Sequence, residues 1–284
     1  VIMDAEGILR GLNADQRAAV LHDHEKNAQL LILAGAGSGK TSVLTKRIQY
    51  RIAMGVNPEN ILALTFTAKA ASEMRERVQN LFPGAPVRLC TFHSLALYML
   101  KQNIGGKFAY EMVGLKKPPV PQDSPAEDFV ENLVRQKIPA KELDRERLFD
   151  DAFPSSLSSR LDKLRASVLE TGQVVFEDLI YLAIRLLENH EEARAYFHRQ
   201  WTEILVDEYQ DINPSQYRMV KALLGDRKSL SVVGDDDQAI YGFRGTDIGN
   251  INRFCDAFKE STLIRLEWNY RPTSNILHFA NAIF

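Results

Sequence analysis

Six short apolar runs punctuate the chain: Leu30–Leu33, Ile61–Leu64, Val87–Cys90, Ile204–Val206, Leu230–Val233 and Leu263–Leu266, with helical patterns between them. Runs this short and this continuous suit strands covered on both faces. The pattern therefore predicts an α/β fold, a parallel sheet with helices on both faces. The regularity breaks once. From about residue 103 to residue 190 no comparable run occurs; a proline-rich stretch, Lys117-Pro118-Pro119-Val120-Pro121, leads into charged helical patterns. Leu157, Leu161, Leu164 and Val168 recur there at helical spacing, as do Leu179, Leu182 and Leu186 with Ile180 and Ala183. The expected organisation is a discontinuous sheet domain, 1–103 and 191–284, interrupted by a mostly helical subdomain at 104–190.

Three polar segments each follow an apolar run. The first, Ala34-Gly35-Ala36-Gly37-Ser38-Gly39-Lys40-Thr41, leaves Leu30–Leu33 and opens a helix predicted through Val43, Leu44, Ile48 and Ile52. In such a strand–loop–helix the glycines let backbone N–H groups approach phosphate, Lys40 supplies a point charge, and the Thr41 hydroxyl suits Mg²⁺. The strict form of this loop begins with glycine, and Ala34 stands there instead. The second segment, Asp207-Glu208-Tyr209-Gln210-Asp211, emerges from Ile204–Val206 at a strand's carboxyl end, where open α/β sheets bind ligands. Asp207 is assigned to the metal and Glu208 to the base that orients and deprotonates water. The third is Gly234-Asp235-Asp236-Asp237-Gln238. Together they describe a nucleotide-driven machine using Mg²⁺.

Composition narrows the setting. With 284 residues, 45% of them hydrophobic, the chain can bury a substantial core, and no apolar run approaches membrane-spanning length. Cys90 and Cys255 lie far apart without a CxxC pairing, which fits a reducing compartment and argues against a zinc or iron–sulfur site. A cytoplasmic protein with no membrane partner is expected. Acidic and basic residues nearly balance, 37 against 35, so any nucleic-acid binding must come from local groups rather than bulk charge.

Taken in order, these segments closely resemble the superfamily 1 DNA helicases of the UvrD/Rep/PcrA type. Leu12-Asn13-Ala14-Asp15-Gln16 resembles the family's Q motif, whose glutamine meets the adenine edge; without the series it reads as a helix start capped by Asn13. Thr65-Phe66-Thr67-Ala68-Lys69-Ala70-Ala71, Thr91-Phe92-His93-Ser94, Val232 to Gly245 and Leu266 to Leu277 resemble later motifs, and Phe176–Ile180 through Tyr196 and Trp201 resembles the approach to the acidic one. The resemblance implies a RecA-like ATPase domain. It places Gln238 and Arg271 at the γ-phosphate and Tyr270 on adenine. Phe66, Tyr241 and Phe243 would stack on bases of single-stranded DNA, with Thr65, Thr91, His93 and Arg244 beside the same strand. Such stacking, about 1–3 kcal/mol per base and indifferent to sequence, suits a motor.

Four positions depart from the family pattern: Ser42 stands for a common arginine over adenine, Ala68 for asparagine, Phe243 for tryptophan and Pro272 for serine. The family continues beyond the equivalent of Phe284 with a second RecA-like domain, so the expectation is a fragment that binds ATP–Mg²⁺ weakly and hydrolyses it poorly. The resemblance implies an ATP-dependent 3′–5′ helicase acting on single strands and single/double-strand junctions, as a monomer. The rivals are a motor subunit of a helicase–nuclease complex and a DNA-binding module that uses ATP only as a switch. Intact Lys40, Glu208 and Gln238 argue against the last.

Overall fold

A computed structural model describes residues 5–23, 29–35, 37–122, 166, 168–225, 229–235 and 249–268. Every predicted run is a strand there: β1 (Gln29–Ala34), β2 (Ile61–Thr65) and β3 (Arg88–Thr91) come first in the chain. Four short strands follow, β4 (Asn103–Ile104), β5 (Lys107–Phe108), β6 (Val120–Gln122) and β7 (Gln173–Val175). The remaining long ones are β8 (Glu203–Val206), β9 (Ser229–Gly234) and β10 (Thr262–Leu266). The described residues divide into two compact units, 1–91 with 199–214 and 224–284, and 92–198 with 215–223.

The first unit holds a six-stranded, wholly parallel sheet in the order β10-β1-β9-β8-β2-β3, flanked by helices. Because side chains alternate along a strand, Leu30, Ile32 and Ala34 of β1 share one face with Ile61 and Ala63 of β2. Against that face pack Ala19 and Val20 of helix Ala14–Leu21, Val43, Leu44 and Ile48 of helix Lys40–Ala53, and Met74 and Val78 of helix Ala68–Leu81. Leu31, Leu62, Ile204 and Val232 on the other face are equally buried. Each such side chain withdrawn from water contributes roughly 1.5–3 kcal/mol, which is why these strands read as unbroken apolar runs.

Register matters more for function than strand number. Ala34 of β1 pairs with Leu266 of β10, Leu33 with Gly234 of β9, Val206 of β8 with Val232 of β9, and Thr65 of β2 with Thr91 of β3. The carboxyl ends of all six strands thus lie along one edge. Whatever follows β1, β8 and β9 in the sequence meets at that edge.

In the second unit, helix Phe92–Leu100 packs on helix Phe176–Asn189. Leu95, Ala96, Met99 and Leu100 are buried, as are Leu179, Ile180, Leu182, Ala183 and Leu186, so that predicted stripe is helical core. Among its described residues the unit is largely helical but carries two short strand pairs, β4 antiparallel to β5 and β6 parallel to β7. Strands of two or three residues are too short for alternation to register in the sequence. Leu157, Leu161 and Leu164 lie outside the described residues.

Candidate active site

After β1 the chain turns sharply. Ser38 donates from its backbone N–H (3.2 Å) and its hydroxyl (2.7 Å) to the Gly35 carbonyl, and Gly39 then caps helix Lys40–Ala53 with φ of +89°. A Cβ at Gly39 would lie 3.0 Å from Gln16 Nε2, so both conformation and space call for glycine. This helix start, with Lys40 and Thr41 in its first turn, follows β1 at the edge where the strands end, and the first N–H groups of any helix have no partner within it. Ser42 is half-buried in the same turn. Ala36 lies outside the described residues.

Gln16 joins this loop from another element. Asn13 accepts from the Gln16 N–H at 2.8 Å while Gln16 Oε1 accepts from the Asn13 N–H at 3.2 Å, a reciprocal cap on helix Ala14–Leu21. The carboxamide's Nε2 donates to the Ser38 carbonyl at 2.9 Å. Gln16 is therefore both a capping residue and a strut for the loop. At the far end of its helix the fully buried Arg47 guanidinium donates to the carbonyls of Ala19 (2.7 Å), Val20 (3.0 Å) and His22 (3.1 Å) and to the Ser231 hydroxyl (3.0 Å). Burial lowers the Arg47 pKa to about 10, still a cation at neutral pH.

The acidic segment leaves β8 beside this loop. The Asp207 N–H donates to the Leu64 carbonyl at 2.9 Å, and its carboxylate accepts from the Glu208 N–H at 3.1 Å. Burial first, then the neighbouring Glu208 charge, push the Asp207 carboxyl up to about 7. Glu208 holds φ of +50°, the one positive φ outside glycine among the described residues, and strain of this kind gathers at functional sites. Lys40 Nζ reaches across from the loop, 3.0 Å from Asp235 Oδ2 at the end of β9 and 3.7 Å from Glu208 Oε2.

This donor set suits a nucleotide polyphosphate with a divalent cation. One ammonium faces Asp207, Glu208 and Asp235, and a cation beside Asp207 would favour the carboxylate that burial and the Glu208 charge disfavour. No group of three or more His, Cys, Asp or Glu among the described residues could hold a metal by itself. Mg²⁺ commonly takes only one or two protein carboxylates, the remainder coming from phosphates and water.

Comparison with known proteins decides the family. The model of the UvrD/REP helicase N-terminal domain matches residues 12–117 and 108–259. The chain belongs to the UvrD/REP helicase family. It is 35% identical to an ATP-dependent DNA helicase PcrA of Staphylococcus epidermidis over 97% of its own length and 40% of the relative's. Against an ATP-dependent DNA helicase PcrA of Staphylococcus aureus the identity is 37%, with the same shares covered. The chain thus spans about 40% of the length of these UvrD/REP relatives.

Among the described residues, Thr65, Phe66 and Thr91 fall at the same sheet edge or just past it. Thr65 ends β2 fully buried, its hydroxyl donating to the Thr67 carbonyl at 2.9 Å, so it shapes the turn that presents half-buried Phe66. Thr91 ends β3, half-buried. In the second unit, His93 stands edge-on to Phe176, ring centroids 5.7 Å apart, and burial holds its pKa below the ordinary value. Gln238, Tyr241, Phe243, Arg244, Tyr270 and Arg271 lie outside the described residues. The structure adds groups that the motif reading left without a role. Asp235 and Gln210 sat inside the quoted segments, a few residues past apolar runs, but nothing in their spacing distinguished them from their neighbours. Arg47 and Asn250 carried no signal.

Proposed function

We propose that the chain is the ATPase-bearing N-terminal portion of a DNA helicase that hydrolyses ATP to ADP and phosphate while moving 3′ to 5′ along single-stranded DNA. The observation that carries this reading is the meeting of Lys40, Asp207, Glu208 and Asp235 at the carboxyl ends of three adjacent parallel strands. Lys40 and the N–H groups of the 34–41 loop hold the phosphates, and Thr41 and Asp207 hold Mg²⁺. Bound there, the metal supplies positive charge to the phosphoryl oxygens. Glu208 orients the attacking water and accepts its proton. Gln238 and Arg271 meet the γ-phosphate, whereas Gln16, Ser42 and Tyr270 border the adenine. To meet adenine, the Gln16 amide exchanges its Ser38 carbonyl partner for the base edge.

The DNA track runs over Thr65, Phe66, Thr91, His93, Tyr241, Phe243 and Arg244, and 104–190 meets the duplex at a single/double-strand junction. The working form is a cytoplasmic monomer. Residues 1–284 alone turn ATP over slowly, because they span 40% of the relatives' length and the family resemblance puts a cleft-closing second domain in the remainder.

The test is steady-state ATPase with and without single-stranded DNA, on residues 1–284 and on the complete protein, each beside Glu208→Gln. DNA stimulation in the complete protein, abolished by the substitution, supports the motor. Activity indifferent to DNA would leave a nucleotide-controlled binding protein instead.

A further inference from the structure

The Gln210 side chain links the Glu208 carboxylate to the end of β9. It lies in a short 3₁₀ turn, Tyr209–Asp211, immediately after Glu208, and is 3% exposed. Its Nε2 donates to Glu208 Oε2 at 2.9 Å and to Asp211 Oδ2 at 3.1 Å, and its Oε1 accepts from the Asp235 backbone N–H at 2.9 Å. The chemistry dictates that orientation. A flipped amide would set its oxygen against two carboxylates and its NH₂ against an N–H donor. With Lys40 bridging Asp235 and Glu208, the contacts close a ring: Lys40, Glu208, Gln210, Asp235 and back to Lys40.

The surroundings hold Gln210 from outside. Asn250, buried at the start of helix Asn250–Ala257, donates from its Nδ2 to the Gln210 carbonyl at 3.2 Å and to the Ile212 carbonyl at 2.7 Å. At Gly234 a Cβ would stand 3.3 Å from Gln210 Oε1, so the absence of a side chain there leaves room for the close approach. Tyr209, next to Gln210, packs edge-on against Phe254 with centroids 5.7 Å apart. The turn is thus clamped while its amide is spent entirely on the site.

We propose that Gln210 is a positioning residue of the ATPase: it sets the Glu208 carboxylate for the attacking water and ties that carboxylate to the end of β9, from which the chain runs on into the segment containing Gln238. It rests on the ATPase reading above. A carboxylate attached through two rotatable side-chain bonds beyond Cβ, on a residue at positive φ, has many orientations available. The amide donor selects one, and the same amide's acceptor fixes that choice relative to Asp235 and hence to Lys40. Movement of the β9 end reaches the base through Gln210 as well as through Lys40.

The experiment is a double-mutant cycle in the complete protein, using Gln210→Met, Glu208→Gln and their combination, with single-stranded DNA present. Gln210→Met should lower kcat for ATP hydrolysis about 10- to 100-fold, as loss of such supporting partners typically does. Binding of a fluorescent ATP analogue with Mg²⁺ should shift by less than about threefold, since Gln210 touches no phosphate-binding group of the loop. In the Glu208→Gln background the further change should cost less than about twofold, because the group that Gln210 positions is already disabled. Gln210→Glu, which keeps the acceptor for Asp235 but replaces the donor to Glu208 with a second carboxylate, should reproduce the loss in kcat and guards against a Met variant that folds poorly. Two outcomes overturn the proposal: full kcat in either Gln210 variant, or effects that multiply in the double variant. Failure of Glu208→Gln to reduce kcat sinks the ATPase reading itself, a separate result.

Discussion

Lys40 shows how much one side chain is asked to do. It stands 3.0 Å from Asp235 and 3.7 Å from Glu208, and its charge also opposes the upward push on the Asp207 carboxyl. Lys40→Met should therefore cut ATP hydrolysis in the complete protein by at least about 100-fold, the scale expected for losing a charge aimed at developing anionic oxygens. His93 gives a prediction in pH instead. Burial keeps its folded pKa below the ordinary 6.5, so the native state resists a proton that the unfolded chain accepts readily. Stability is whole above pH 6.5 and declines as the pH falls below it, with a slope of at most about 1.4 kcal/mol per pH unit from this group. Urea melts between pH 7.5 and 5 should decline less steeply for His93→Gln than for the parent; parallel curves would remove His93 as the cause. The placement of Lys40, Asp207 and Glu208 at the sheet edge was open to inference from sequence, because the acid pair directly follows an apolar run and Lys40 ends the glycine-rich loop that follows another. Gln210 and Arg47 act through partners brought close only by folding, such as Asp235 and Ser231, and no local spacing announces that.

At the scale of elements, the Ala14–Leu21 helix shows how a site residue depends on a distant anchor. Its first turn carries Gln16 to the phosphate loop, and its last carbonyls rest on Arg47 from helix Lys40–Ala53. A buried guanidinium with four such partners satisfies groups that would otherwise be left without donors. Arg47→Met should cost about 3–5 kcal/mol in urea unfolding, since it strands several buried carbonyls at once, whereas Arg17→Met, which breaks an exposed contact with Glu6, should cost less than about 1 kcal/mol. Equal costs would mean that the helix is held by its apolar face alone. The same contrast explains which elements were legible. β2, β8 and β9 are buried throughout, β1 from its second residue on, and they announce themselves by composition. β4 and β5 are a short local pair turned by Gly105 and Gly106 at positive φ, whereas β6 and β7 are short strands in which Val120 meets Gln173 across roughly fifty intervening positions.

For the molecule as a whole, the sheet and its ligand edge form one thermodynamic object. The P-loop follows β1, the acid pair follows β8 and Asp235 follows β9, so a ligand that bridges them ties three central strands together. A ligand bound only by the folded state stabilises it by an amount fixed by its concentration over Kd, about 2.7 kcal/mol at one hundred times Kd. ATP with Mg²⁺ should accordingly raise the melting temperature of residues 1–284 in steps that grow with the logarithm of nucleotide concentration. EDTA should remove most of the shift, because Asp207 and Thr41 would then have no cation through which to hold phosphate. Lys40→Met should abolish the remainder. This measurement needs no turnover, so it separates two questions that an ATPase assay joins: whether the edge binds nucleotide, and whether the bound nucleotide is hydrolysed. A shift with ATP and Mg²⁺ alongside negligible turnover is the expected pair of results for this segment. No shift at millimolar nucleotide would mean that the edge, although assembled, does not by itself bind nucleotide tightly enough to hold the three strands together.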